Sequence, residues 1–148
     1  MLVLTRAAYD AVVAHAREGA PEEICGVLGG ARGAGAGDDP DRATTVHRTA
    51  NAAAAPRTAY AIDPEEQLTV LETIEDGDLD VVGFYHSHPA GPPRMSATDR
   101  ERATWDGYAY LLVSLDGDVP FVGAWRWTGE RFAPEVLRLA QDSATTPT

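Results

Sequence analysis

With 148 residues, 44% of them hydrophobic, the chain has material for one domain with a proper core and none to spare for a second. Its formal net charge of −11, with all 12 basic residues arginine and no lysine, excludes the basic surface that nucleic-acid binding needs. A GC-rich genome would produce this composition, but so would a salt-adapted cytoplasm, where screening relieves the self-repulsion of an acidic surface; the second reading is preferred.

The opening Met1-Leu2-Val3-Leu4 is too short for a signal-peptide apolar region, and no run is long enough to span a bilayer, so a cytoplasmic protein is expected. Thr5 caps a first helix with Tyr9, Val12, Val13 and Ala16 on one face, stopped by Gly19 and Pro21. A strand at 24–28 follows, with Glu23 at its start and Cys25 within it; a lone cysteine between Ile24 and Gly26 reads as a small buried side chain. Residues 30–41 carry no apolar period and read as a mobile hairpin loop, and without Gly-Lys-Ser/Thr they are no phosphate loop. Residues 44–49 read as a strand with His47 exposed on it, and His15 on the first helix has no metal partner at i+3 or i+4.

Asp63-Pro64-Glu65-Glu66 starts a second helix, continued by Leu68, Leu71 and Ile74 or Glu75 up to Gly77. A buried strand at 81–85 then delivers His86 and His88. After a short helix from Ser96, residues 108–115 and 119–127 form apolar strands joined by Asp116-Gly117-Asp118, with Trp125 and Trp127 covering one sheet face. The expected organisation is one α/β domain over residues 1–140 and a polar, frayed tail at 141–148.

The chemistry concentrates in His86-Ser87-His88-Pro89, followed by Ser96 and Asp99. Two imidazoles at i and i+2 point to the same side of a strand, and Asp99 can close on the same ion. Three nitrogen and oxygen ligands leave a coordination position for water, as in catalytic zinc sites, whereas structural zinc is four-coordinate and closed. His-x-His alone is weak, since alternating histidines also occur as polar residues at a sheet rim. Ser96-x-x-Asp99 is also a helix-start signature, so Asp99 can be a capping carboxylate, a ligand or both.

His-x-His-x7-Ser-x2-Asp, with the upstream Pro21-Glu22-Glu23-Ile24-Cys25-Gly26, resembles the JAMM (MPN-plus) family of zinc-dependent peptidases over roughly residues 2–139. The resemblance implies a cytidine-deaminase-like α/β fold, a central mixed sheet flanked by helices, and cleavage of isopeptide bonds to ubiquitin-like β-grasp modifiers. It implies one catalytic zinc on His86, His88 and Asp99, and it aligns Glu23 with the catalytic glutamate, Glu22 being the runner-up. Amide hydrolysis then gives Glu23 the proton transfers and Ser96 the part of oxyanion donor. A Ser-His-Asp triad would be an odd use of two histidines separated by one residue. The short chain resembles compact archaeal desampylases, which free modifiers from lysines or linear fusions; the alternative is a peptidase that trims cysteine from a β-grasp sulfur carrier. A non-catalytic scaffold of the same fold is disfavoured because every expected ligand is present.

Overall fold

In the computed structural model, residues 1–33 and 39–140 are described. The centre of the expected loop, 34–38, and the expected frayed tail, 141–148, lie outside the described residues. What positions the site is one mixed sheet of eight strands in the order β7-β6-β5-β4-β2-β3-β1-β8. In chain order these are β1 (Leu2–Thr5), β2 (Cys25–Ala31), β3 (Asp41–Thr49), β4 (Asp80–His88), β5 (Ala109–Ser114), β6 (Phe121–Trp127), β7 (Phe132–Glu135) and β8 (Leu137–Ala140). β2 and β3 form the expected hairpin, β4 runs antiparallel to β2 and parallel to β5, and β5 pairs antiparallel with β6. β2 is buried almost throughout, and a Cβ at Gly26 would fall into the Tyr85 ring, so glycine there permits the close approach of β4.

The helices divide between the two faces. Helix α1 (Arg6–Gly19) begins where Thr5 accepts a hydrogen bond from Ala8 N at 3.2 Å, a cap that typically contributes about 1 kcal/mol. Its Ala8, Val12 and Ala16 pack with Leu2, Leu4, Leu28, Leu111 and Val113; full burial of a Val or Leu contributes roughly 1.5–3 kcal/mol. Helix α2 (Pro64–Asp76) is capped by Asp63 as expected and lays Ile74 and Leu71 on the opposite face, against Val27, Val81, Phe84, Tyr110 and Trp127. Helix α3 (Ala97–Arg102) follows from Ser96. None of these helices is long and apolar enough to cross a membrane.

Several expectations need correction. β1 precedes α1 directly, and its four residues, buried on both faces, show no alternation that marks a strand. β7 carries Pro134, which reads as a strand breaker in sequence but is tolerated on this edge strand; β8 then adds in parallel to β1 and closes the far end. Leu68 is 58% exposed, lying off the helix face on which Val70, Leu71 and Ile74 pack. His47 is half-buried, its Nε2 2.9 Å from Thr45 Oγ1, and burial lowers its pKa. Trp127 is buried in the core and Trp125 half-buried on the same face, as expected.

Candidate metal centre and active site

β4 runs through the middle of the sheet and is buried from Val81 to His88. Alternation puts His86 and His88 on the α2 face and Ser87 on the other, where Ser87 Oγ accepts from Ile24 N at 2.9 Å. That bond, with Ser87 N donating to Ile24 O at 3.1 Å, fixes the chain just before β2 alongside the end of β4. Glu23 is thereby turned in beside the histidines, 5% exposed, while Glu22 faces solvent. Asp99 arrives on the first turn of α3: Ser96 Oγ accepts from Asp99 N at 3.0 Å and Asp99 Oδ2 from Ser96 N at 2.8 Å, a reciprocal capping box. One ligand-type atom from each of Glu23, His86, His88 and Asp99 lies within 4.8 Å of the others.

Donor and acceptor accounting distinguishes this cluster from an ordinary buried polar group. His88 Nδ1 is 2.9 Å from Pro92 O, and since a carbonyl only accepts, Nδ1 carries the proton. In the neutral ring, Nε2 therefore presents a lone pair to Asp99 Oδ2 at 3.1 Å. His86 Nε2 is also 3.1 Å from Asp99 Oδ2, yet its alignment makes no hydrogen bond, and neither its Nδ1 nor Glu23 Oε1 has a partner among the described residues. Two buried imidazoles and two buried carboxylates thus converge, with the His86 ring nitrogens and Glu23 Oε1 left without a hydrogen-bond partner among the described residues, which is an environment suited to a cation. The electrostatics agree. Burial pushes the Glu23 carboxyl up to about 7, with His88 pulling down and Asp99 pushing up. Burial also opposes the charge on Asp99, but the two histidines and Ser96 N–H hold its carboxyl well below the usual range. Burial lowers His86 despite Asp99 nearby; for His88, burial is outweighed by its contacts with Asp99 and Pro92 O, which raise it.

Two neighbours escaped the sequence reading. The Tyr60 ring stacks on His86, with centroids 4.3 Å apart and planes at 22°. Asn51 ties the 51–61 segment to the site: its Nδ2 donates to Glu23 O and Ala59 O, each at 2.9 Å, and its Oδ1 accepts from Ala53 N and Ala61 N. Glu23 N donates to Pro56 O at 2.7 Å, so both ends of the Glu23 backbone are held by this segment. The available signals were faint: Tyr60 is the one aromatic between Tyr9 and Phe84, and Asn51 the one side-chain amide in an alanine-rich stretch without period.

A cleft of about 410 Å³ opens onto the cluster, walled by Glu23, His88, Pro89, Pro92 and Ser96, with Arg57 at its edge. A serine-protease arrangement does not form: Ser96 Oγ bonds to Asp99 N, and no Ser96–His88 hydrogen bond is present among the described residues. The other singled-out residues stay outside the cluster. His15 bonds to Tyr85 on the α1 face at 2.7 Å, and Cys25 is buried beside Thr49, its thiol pushed up to about 11 by burial, as befits an inert side chain.

The model of the prokaryotic homologs of the JAB domain matches residues 5–128. The chain is 49% identical over 135 residues to the desampylase of Haloferax volcanii, covering 88% of this chain and 91% of that protein. It is 41% identical over 114 residues to the CysO-cysteine peptidase of Mycobacterium tuberculosis, covering 77% and 73% respectively. The solution structure of a protein from Desulfitobacterium hafniense superimposes with a TM-score of 0.84 at 31% identity, over 96% of this chain and 94% of that one. The chain therefore belongs to the prokaryotic JAB-domain family.

Proposed function

We propose that this chain is a zinc-dependent isopeptidase that releases ubiquitin-like β-grasp modifiers from lysine side chains or linear fusions, a reading supported by its likeness to a desampylase. The observation that carries the reading is the convergence of His86, His88, Asp99 and Glu23, with the His86 ring nitrogens and Glu23 Oε1 left without a hydrogen-bond partner among the described residues. His86, His88 and Asp99 would hold the ion. Ligand atoms around a tetrahedral zinc stand about 3.3 Å apart, and the two Nε2–Oδ2 separations here are 3.1 Å. When bound, zinc supplies Lewis acidity, acidifying a water and polarising the scissile carbonyl.

The protein supplies the rest. Glu23, held near neutrality by burial, takes the proton that water gives up on attack and returns it to the leaving amine as the C–N bond breaks. Ser96 Oγ already accepts from Asp99 N, so its own O–H is available to donate to the oxygen that gains charge in the tetrahedral state. Cleft walls of Pro89, Ala90, Gly91 and Pro92 suit a modifier tail ending in Gly-Gly, which brings no side chains into a narrow space. A cytoplasmic setting belongs to the same proposal, and the unpaired, buried Cys25 is compatible with a reducing compartment.

A second reading is the trimming of a cysteine from a β-grasp sulfur carrier. It is favoured by the CysO-cysteine peptidase relative and by Arg57, which has no ion pair among the described residues and would suit the free carboxylate of a leaving amino acid. Incubating zinc-loaded protein with a β-grasp protein linked to a lysine peptide, and separately with its C-terminal cysteine adduct, separates the two. Faster turnover of the lysine conjugate is expected; cleavage of the cysteine adduct alone would establish the second reading.

A further inference from the structure

The 89–96 loop divides two surfaces. On one side Pro89, Pro92 and Ser96 wall the catalytic cleft. On the other, Arg94 and Met95 join Arg100, Trp125, Arg131 and Phe132 around a second hollow, of about 300 Å³. Helix α3 repeats the division, with Asp99 in the cluster and Arg100 at the hollow. The ladder sets both on one sheet face: Trp125 lies opposite Tyr110, and Tyr110 beside Phe84, two residues before His86. Trp125 and Phe84 are thus two strand spacings apart, about 10 Å across the sheet, with His86 and His88 a further roughly 7 and 13 Å along β4.

The hollow inverts the charge of its surroundings. The sequence holds 23 acidic and 12 basic residues, yet three arginines meet here and, among the described residues, no carboxylate lines the hollow. Among the described residues, only Arg6, Arg32, Arg48 and Arg126 are engaged in ion pairs; the guanidiniums of Arg94, Arg100 and Arg131, like those of the other five arginines, have none, and what sets these three apart is that they meet at one hollow. Arginine forks match carboxylates, and arginine and tryptophan are the side chains that most often dominate protein interfaces. A nucleic acid, charged along its whole length, would run past the hollow onto the acidic remainder of the surface, whereas a folded protein can present a single acidic face to it.

We propose that this hollow docks an acidic face of the modifier's folded body, with Trp125 as apolar anchor, while the modifier's tail passes the 89–96 loop into the cleft. The proposal rests on the isopeptidase reading of the cleft and adds the surface that selects the modifier. It gives the enzyme two separable contacts, one to the tail and one to the body.

The test compares wild type with an Arg100→Glu/Arg131→Glu variant on two substrates: the lysine-linked conjugate of an intact acidic β-grasp modifier, and a short lysine-linked peptide carrying only its Gly-Gly tail. For the intact conjugate, KM should rise at least tenfold with kcat within twofold, and the rise of KM with salt seen in wild type should flatten. The tail peptide should be cleaved as before. Trp125→Leu should raise KM for the intact conjugate alone. An unchanged KM for the intact conjugate, or equal slowing of both substrates, would overturn the proposal, as would an RNA oligonucleotide bound at these arginines while KM stays unchanged. If wild type cleaves neither substrate, the isopeptidase reading fails by itself. Calorimetry with the intact modifier then decides docking: binding weakened tenfold in the variant supports it, and equal binding overturns it.

Discussion

The two faces of the sheet each bury histidine, with opposite consequences. On the α1 face, His15 is 9% exposed and its Nδ1 meets the Tyr85 hydroxyl at 2.7 Å. On the α2 face, His86 is 1% exposed and both its ring nitrogens lack a hydrogen-bond partner among the described residues, while His88, in its neutral form, turns a lone pair toward a carboxylate. Burial alone does not separate a structural histidine from a ligand; the fate of each ring nitrogen does. A buried polar atom without a partner costs roughly 1–3 kcal/mol, so a cluster of them persists only where something else meets that cost.

The sharpest break in the comparison is at the ligands. His88→Ala or Asp99→Ala should reduce cleavage of a lysine conjugate to background, and a chelator should do the same to wild type, reversed by zinc. His15→Gln should leave turnover within twofold. Rates measured at matched protein concentration check both arms.

Next in size is the buried carboxylate. Glu23→Gln should keep the metal and lower kcat by about 10² to 10⁴-fold, the usual cost of a lost general base. Glu22→Gln, whose parent side chain faces solvent, should change it less than twofold. The reverse pattern in steady-state rates would move the assignment by one residue.

A smaller effect is expected one contact further out. Asn51→Ala removes the donors to Glu23 O and Ala59 O, and should lower kcat about tenfold while metal stays bound. A remote core change of similar cost in thermal stability, such as Val12→Ala, should leave kcat unchanged. Hydrogen exchange should show the Glu23 amide, bonded to Pro56 O, opening faster in Asn51→Ala than in Val12→Ala.

The smallest effect belongs to His15 and concerns stability. Burial, with Arg48 adding and Glu18 opposing, lowers its pKa from 6.5 to about 4. Between those values the unfolded chain binds a proton that the folded chain does not, so the contribution is present above pH 6.5 and is lost as pH falls through about 4. It amounts to at most about 3 kcal/mol. Urea unfolding of metal-free wild type and His15→Gln, where the cluster's own titration cancels in the difference, should show the variant losing less stability between pH 7 and pH 4.5.

Much of this was legible in the sequence because it follows from local rules. The alternation that aims His86 and His88 to one side, the Ser96–Asp99 capping box, and the Thr5 and Asp63 caps depend on residues within a few positions of each other. Glu23 became legible through family resemblance; its arrival beside His88 depends on pairing between segments some sixty residues apart, through contacts such as Ile24 N to Ser87 Oγ. Asn51 and Tyr60 were missed because their partners are backbone carbonyls and a ring face, which leave no spacing to read. β1, β7 and β8 were missed because four-residue strands, one with a proline, owe their state to the neighbour that pairs with them.

The central claim, that His86 and His88 and not His15 form a metal site, is tested most directly by calorimetric titration of zinc into chelator-stripped protein. One zinc per chain is expected in wild type, in Glu23→Gln and in His15→Gln, with tight binding lost in His88→Ala. Stoichiometric zinc retained by His88→Ala, or lost from His15→Gln while the fold stays intact, would contradict the account.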